Sequence, residues 1–217
     1  MRALDLFCGA GGVSMGLHRA GFDVTGVDLA PQPRYPFRFV QADALRPPFR
    51  LSDFDFIWAS PPCQAHTSLR AMHNAKEHAD LIPQTRALLA ASGRPWAIEN
   101  VPGAPLRYSV MLCGTMFGLG HEGAELRRHR LFETSFPMMA PKCAHGRGGV
   151  IGVYGGHVRD RRRVTGAKGR RDHPTVAGRA AMDIDWMTLA ELSQAIPPAY
   201  SEFIASAAMR SMKQAAA

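Results

Sequence analysis

An α/β fold of the doubly wound, Rossmann-like class is predicted by three features of this sequence. Short runs rich in β-formers alternate with helical or polar stretches, and a glycine turn separates the first such run from the first helix. Acidic or reactive residues stand where these strands end, the rim at which open α/β sheets place their chemistry. The length of 217 residues suits one domain with at most a small appendage, and it can bury a real core.

The first element is the strand-like Ala3-Leu4-Asp5-Leu6, followed by Phe7-Cys8-Gly9-Ala10-Gly11-Gly12 and then a helix with Val13, Leu17 and Ala20 on one face. Gly9 and Gly11 permit positive φ and close backbone approach to a ligand. The spacing is not the G-x-G-x-x-G fingerprint, so alone it reads as a tight turn or a nucleotide site. Phe22 to Val27 is a second strand ending at Asp28, where a carboxylate can take both hydroxyls of a ribose. Phe37 to Gln41 is a third, and Asp43 beyond it could receive an exocyclic amine such as that of adenine.

Phe54 to Ala59 is a buried fourth strand running into Ser60-Pro61-Pro62-Cys63-Gln64. Two prolines forbid continuation of strand or helix and hold Cys63 on a stiff turn. A free thiol is only about 3% ionised at pH 7, so a nucleophilic cysteine would need local activation. Position alone leaves Cys63 as nucleophile or as structure. His66 to Lys76 reads as a mobile polar loop, and Ala79 to Ala91 as a helix limited at its start by Pro83. Trp96 to Val101 is a fifth strand carrying Glu99 and Asn100, and a buried Glu is rare unless paired or functional. Asp43, Cys63 and Glu99 would then share one rim.

Val110 to Leu112 reads as a further strand. Leu126 to Glu133 alternates as a single strand, with Arg128 and Arg130 on one face. From 136 to 181 the texture changes, with little helical period and a basic run of Arg159, Arg161, Arg162, Arg163, Lys168, Arg170 and Arg171. We expect a catalytic domain of 1–135 and 182–217 and a small basic recognition region at 136–181. Thr188 and Glu191 form a capping box for a short helix, and Ala199 to Met212 is a final helix packed back on the sheet.

The formal net charge is +8, carried by 22 arginines and 4 lysines against 18 carboxylates. Such a balance points to a polyanionic partner, nucleic acid above all, with the arginine run on phosphates. No run of ~18 apolar residues is present and the chain opens directly on a strand, so no membrane partner and a cytoplasmic location are expected. The cysteines Cys8, Cys63, Cys113 and Cys143 show no C-x-x-C pairing. Cys143 and His145 are close, but without a second close pair no metal is expected.

Together, Asp5-Leu6-Phe7-Cys8-Gly9-Ala10-Gly11-Gly12, Pro61-Pro62-Cys63-Gln64, Glu99-Asn100-Val101 and Arg128-His129-Arg130 occur in order over nearly the whole chain. This resembles the cytosine-C5 DNA methyltransferases, in particular the compact versions of bacteriophages and prophages. The resemblance implies a class I, S-adenosylmethionine-dependent methyltransferase sheet with a small, irregular recognition region, releasing S-adenosylhomocysteine. It implies that Phe7, Gly9, Gly11 and Pro62 line the cofactor pocket, with Asp28 on the ribose and Asp43 on adenine. Cys63 would add to C6 of a flipped cytosine, Glu99 would hold N3 and the amino group, and Asn100 would buttress the Cys63 loop. Arg128 and Arg130 would steady the base.

Gln64 and Thr67 join the basic run as expected DNA contacts, and the enzyme is expected to act as a monomer on double-stranded DNA in a bacterial or phage-infected cell. The chain departs from the family at His66, at Leu126 and at Ile196-Pro197-Pro198-Ala199-Tyr200-Ser201, where Tyr200 and Ser201 are placed near the cofactor. The short recognition region implies a short target sequence. The rival readings are a tRNA cytosine-5 methyltransferase, a catalytically silent DNA-binding relative and, more distantly, a nicotinamide oxidoreductase.

Overall fold

The computed structural model describes residues 1–66, 78–146, 148–154, 157–160, 171–172 and 175–215. The strands are β1 (Arg2–Leu6), β2 (Asp23–Asp28), β3 (Arg38–Gln41), β4 (Phe56–Ala59), β5 (Trp96–Asn100), β6 (Val110–Leu112), β7 (Gly120–His121), β8 (Ala124–Leu126), β9 (Arg130–Thr134), β10 (Gly149–Tyr154), β11 (His157–Asp160) and β12 (Arg171–Asp172). The helices are α1 (Gly12–Arg19), α2 (Ile82–Ala91), α3 (Thr175–Met182), α4 (Leu189–Gln194) and α5 (Pro198–Ala215).

One sheet has the order β3-β2-β1-β4-β5-β9-β6. Its first five strands are parallel, and β9 runs antiparallel between β5 and β6. Strands β1 and β4 lie in the middle, so they must be apolar on both faces. Phe56, Ile57, Trp58 and Ala59 are accordingly all fully buried. Alternate residues divide between two cores. Ala3, Trp58 and Ala97 join Val13, Leu17, Tyr200 and Ile204 on the face covered by α1 and α5. Leu4, Leu6 and Ile98 pack with Phe54 and Leu89 on the other.

The α1–α5 contact depends on residues without side chains. A Cβ on Gly16 would collide with the Pro198 carbonyl and the Ser201 hydroxyl, and one on Gly12 with the Ile196 carbonyl. Glycine in a helix normally costs about 0.5–1 kcal/mol relative to alanine. At Gly16 the sign should reverse, because overpacking typically costs about 1–3 kcal/mol. Gly16→Ala is therefore expected to lower Tm by several degrees, and thermal unfolding that shows a rise would refute this packing.

The same contact corrects one expectation. Tyr200 and Ser201 are both fully buried. The Tyr200 hydroxyl donates to the Arg128 carbonyl at 2.6 Å, and the Ser201 hydroxyl to the Val13 carbonyl at 2.8 Å. Both bind the fold together instead of facing a cofactor.

The stretch expected as one strand over Leu126–Glu133 is broken. β8 belongs to a second sheet, of order β12-β11-β10-β8-β7, while β9 belongs to the first. The second sheet thus recruits residues ahead of 136, and β10 lies parallel to β8. Its core joins Leu126, Ile151 and Val153 to Ala177, Ala181 and Met182 of α3 and to Leu192 of α4. The helix α3 lies mostly inside the region expected to lack helical period. The Thr188–Glu191 capping box is formed as expected, with the Thr188 backbone N–H donating to Glu191 Oε2 at 2.7 Å. Among the described residues no helix is long and apolar enough to cross a membrane.

Candidate active site

At the carboxyl end of β1, the chain turns through left-handed backbone at Phe7 (φ 59°), Gly9 (φ 50°) and Gly11 (φ 90°) before α1 begins. Phe7 tolerates this conformation at a cost a glycine would avoid. The Cβ position of Gly9 faces open space. That of Gly11 is filled by Tyr35 and Pro36, so Gly11 admits a packing partner where a ligand had been expected.

Asp28, half-buried at the end of β2, accepts from the Gly9 N–H at 2.9 Å through Oδ2 and from the Ala30 N–H at 3.0 Å through Oδ1. Each carboxylate oxygen can accept twice, so lone pairs remain for two ribose hydroxyls. Leu29, beside it, is 73% exposed and offers an apolar face that the sequence reading did not single out. Asp43 is exposed at the β3 end, with Oδ1 turned back to the Leu45 N–H at 2.9 Å. Open backbone, a fixed carboxylate and an apolar surface suit an adenosyl group, so the residues fit an S-adenosylmethionine pocket.

Three strands after β1 in chain order but next to it in the sheet, β4 delivers the Pro61-Pro62-Cys63 turn. The Asn100 side chain donates to the Pro61 carbonyl at 2.9 Å in a buried bond, so β5 holds this turn in place. Pro62 is exposed and the Cys63 thiol half-buried. Burial pushes the thiol pKa up and neighbouring Glu99 adds to the rise, while Arg130 and Arg128 oppose it.

Glu99 is 6% exposed, and its carboxylate lies 3.2 Å from Arg130 Nε. Burial raises its pKa in spite of Arg130 and Arg128. Thiol, carboxyl and guanidinium thus meet at adjoining strand ends, and burial shifts both thiol and carboxyl toward their uncharged forms. A carboxyl that keeps its proton can donate a hydrogen bond as well as accept one.

Arg128 takes a different position from the one expected. Its guanidinium is buried, donating to the Val153 carbonyl and, at 2.8 Å, to the Ser193 carbonyl. Burial, then the nearby Arg130, lowers its pKa to about 9. Those bonds tie β10 and α4 to the segment entering β9, making Arg128 a positioning residue and leaving Arg130 to face the site. Arg128 Nε is buried with no partner among the described residues.

Gln64 is exposed beside Cys63. Thr67, Arg161, Arg162, Arg163, Lys168 and Arg170 lie outside the described residues, as does the expected loop from 67 onward. Arg159 and Arg171 occupy facing strands, paired with Asp172 and Asp160. Among the described residues, one cluster outside the expected site, Cys113, His129, Cys143 and His145, brings its four donor atoms within 4.8 Å of one another.

A five-stranded parallel sheet extended by an antiparallel strand between β5 and β6, with a glycine turn after β1 and a carboxylate after β2, is a Rossmann-like α/β architecture with its candidate site on the carboxyl rim. Residues 1–105 match the family model of the C-5 cytosine-specific DNA methylases.

None of the curated proteins matches the chain. Among solved structures it is similar to a Spodoptera frugiperda DNMT2 mutant (18% identity, 65% of this chain and 53% of that one, TM-score 0.42). It is also similar to S. pombe Dnmt2 methyltransferase (16% identity, 62% and 48%, TM-score 0.40). A third is Burkholderia thailandensis 1,6-didemethyltoxoflavin-N1-methyltransferase with S-adenosylhomocysteine bound (20% identity, 51% and 48%, TM-score 0.35). The matched part spans about half the length of these proteins. Likenesses at these scores carry no argument about activity.

Proposed function

We propose that this chain methylates C5 of cytosine in double-stranded DNA through a transient bond between Cys63 and C6. The observation that carries the reading is the meeting of Cys63, Glu99 and Arg130 at the ends of β4, β5 and β9, one strand from the Gly9–Asp28 turn.

C5 of cytosine is a poor nucleophile until something adds at C6. Cys63 Sγ forms that bond, and the electron pair displaced from the 5,6 double bond makes C5 an enamine carbon. Glu99 gives its proton to N3 and accepts from the amino group, while Arg130 faces the charge developing on the ring. Bound S-adenosylmethionine supplies an electrophilic methyl group. After C5 takes that methyl it loses its proton to solvent or a base, and the Cys63 thiolate leaves as the double bond reforms. As the thiolate leaves, N3 returns its proton to Glu99 and the ring is restored. Before the base binds, burial favours the protonated Cys63 thiol, whose proton passes to solvent or a base as Sγ adds to C6.

A cytosine within a duplex cannot reach this rim, so the base must be flipped out, at a cost of a few kcal/mol. The +8 charge and the arginines from 159 to 171 supply phosphate contacts in this reading. Incubation with S-adenosylmethionine carrying a tritiated methyl group should label cytosine in duplex DNA and leave tRNA unlabelled. Binding to DNA should weaken steeply as salt rises. Labelling of tRNA in preference to DNA would move the substrate to RNA, and binding indifferent to salt would take the arginine run out of the contact.

A further inference from the structure

We propose that Cys113, His129, Cys143 and His145 bind one zinc ion, which clamps the loop after β9 to the segment that leads into Arg130. The four donor atoms all lie within 4.8 Å of one another. Cys143 Sγ is 2.8 Å from His145 Nε2 and 3.5 Å from His129 Nε2, and Cys113 Sγ is 3.4 Å from His145 Nε2. A tetrahedral zinc with ordinary bond lengths of about 2.3 Å to sulfur and 2.0–2.1 Å to nitrogen requires sulfur–nitrogen edges of about 3.6 Å. Two of the three contacts already match that edge, and the third opens to it by a small rotation of an exposed side chain.

These donors come from three separate places in the fold. Cys113 follows β6 and is fully buried, His129 lies between β8 and β9, and Cys143 and His145 sit on the exposed stretch that leads to β10. That stretch has no regular secondary structure from 137 to 146. Among its polar ties are the Gly146 N–H donating to Glu125 at 2.7 Å, the Gly146 carbonyl accepting from Arg127 at 2.8 Å and a Thr115 hydroxyl contact to Cys143 Sγ at 3.8 Å. Met138 and Ala140 pack the start of this stretch on the core, but residues 141–146 are exposed, so apolar burial does not itself bring the Cys143 thiol and His145 imidazole onto the buried Cys113 thiol and His129. A metal ion explains that convergence. The Thr115 hydroxyl donates to Cys113 Sγ at 3.3 Å, the kind of outer hydrogen bond that steadies a metal-bound thiolate.

Two thiolates and two imidazoles in a tetrahedron select zinc, and four protein ligands leave no position for water or substrate. The site is therefore structural. His129 stands between Arg128 and Arg130, and side chains alternate in extended backbone. Fixing His129 to the metal on one side directs its neighbours to the other, Arg130 toward Glu99 and Arg128 toward the carbonyls it bridges. The inference does not depend on whether the substrate is DNA or RNA.

The full chain, purified without a histidine tag under reducing conditions, should contain close to one zinc per molecule by elemental analysis. Cys63→Ser should keep it. Cys143→Ala/His145→Ala alters only exposed side chains and should lose nearly all of it. Chelated wild-type protein reloaded with cobalt should show the visible bands of a tetrahedral, thiolate-bound ion, and the double variant should not. Absence of zinc together with absence of those bands overturns the proposal, as does zinc retained in full by the double variant. A Cys113–Cys143 disulfide found by peptide mapping of the reduced preparation would assign the cluster to redox pairing instead.

Discussion

Cys63→Ser is expected to abolish the covalent complex that the wild-type chain forms with 5-fluorocytosine DNA and S-adenosylmethionine. Fluorine at C5 cannot leave as a proton does, so the reaction stops after methyl transfer with Sγ still bonded to C6. A gel that resists denaturant then reports the bond directly. Serine preserves the size of the side chain and its place on the Pro61-Pro62 turn, which Asn100 holds through the Pro61 carbonyl. The oxygen is a harder and less ionised nucleophile, so turnover on ordinary DNA should fall by about four orders of magnitude or more, the scale on which enzymes lose rate when a nucleophile is removed. Binding of S-adenosylmethionine should change little, because its pocket is built from the β1 and β2 ends. If Cys63→Ser still gave a covalent complex, or methylated DNA at the wild-type rate, the thiol would be structural and the proposed chemistry would fail.

The rim of the large sheet was legible in the sequence because each strand reaching it is short, apolar and ended by an abrupt change of texture. Phe56 to Ala59 reads as a doubly buried strand, two prolines stop it, and Cys63 follows. Asp28 and Glu99 sit at the ends of runs of the same kind. Residues whose roles depend on contacts far away in sequence were not legible. Leu126 and Arg130 alternate as though in one strand, yet the chain changes sheets between them, because Leu126 pairs with β10 and Arg130 with β6. Tyr200 and Ser201 carry polar groups at positions where a cofactor contact was plausible, and only the approach of α5 to Gly12 and Gly16 shows that they are spent inside the core. The four ligands of the proposed zinc site have one short spacing among them, Cys143 to His145. No local pattern announces a site assembled from a strand end, a break between strands and a surface loop.

The second large effect concerns Asp5, a buried acid in the middle of the sheet that the proposed chemistry does not use. It is fully buried on β1, where Ser14 donates to Oδ2 at 2.5 Å and Oδ1 has no partner among the described residues. Burial raises its pKa from 3.8 to about 7; the Ser14 bond opposes the rise and Asp28 adds to it. The folded protein therefore holds this proton more tightly than the unfolded chain does. Below about pH 4 both states are protonated and Asp5 costs nothing in charge. As pH climbs toward 7 the unfolded chain ionises freely while the folded one resists, so stability falls across that window and levels off above it. With 1.36 kcal/mol for each tenfold difference in proton affinity, the loss is roughly 4 kcal/mol. Asp5→Asn keeps an acceptor for Ser14 and has no proton to lose. Urea unfolding of both proteins from pH 4 to 8 should show the difference in unfolding free energy moving in favour of the variant by roughly that amount, with the background of all other titrating groups cancelled. The neutral amide still buries an unpartnered group beside the former Oδ1, so its advantage should appear only toward neutral pH. A difference that stays flat would mean that Asp5 ionises in the fold as easily as outside it, and that the unpartnered oxygen is solvated.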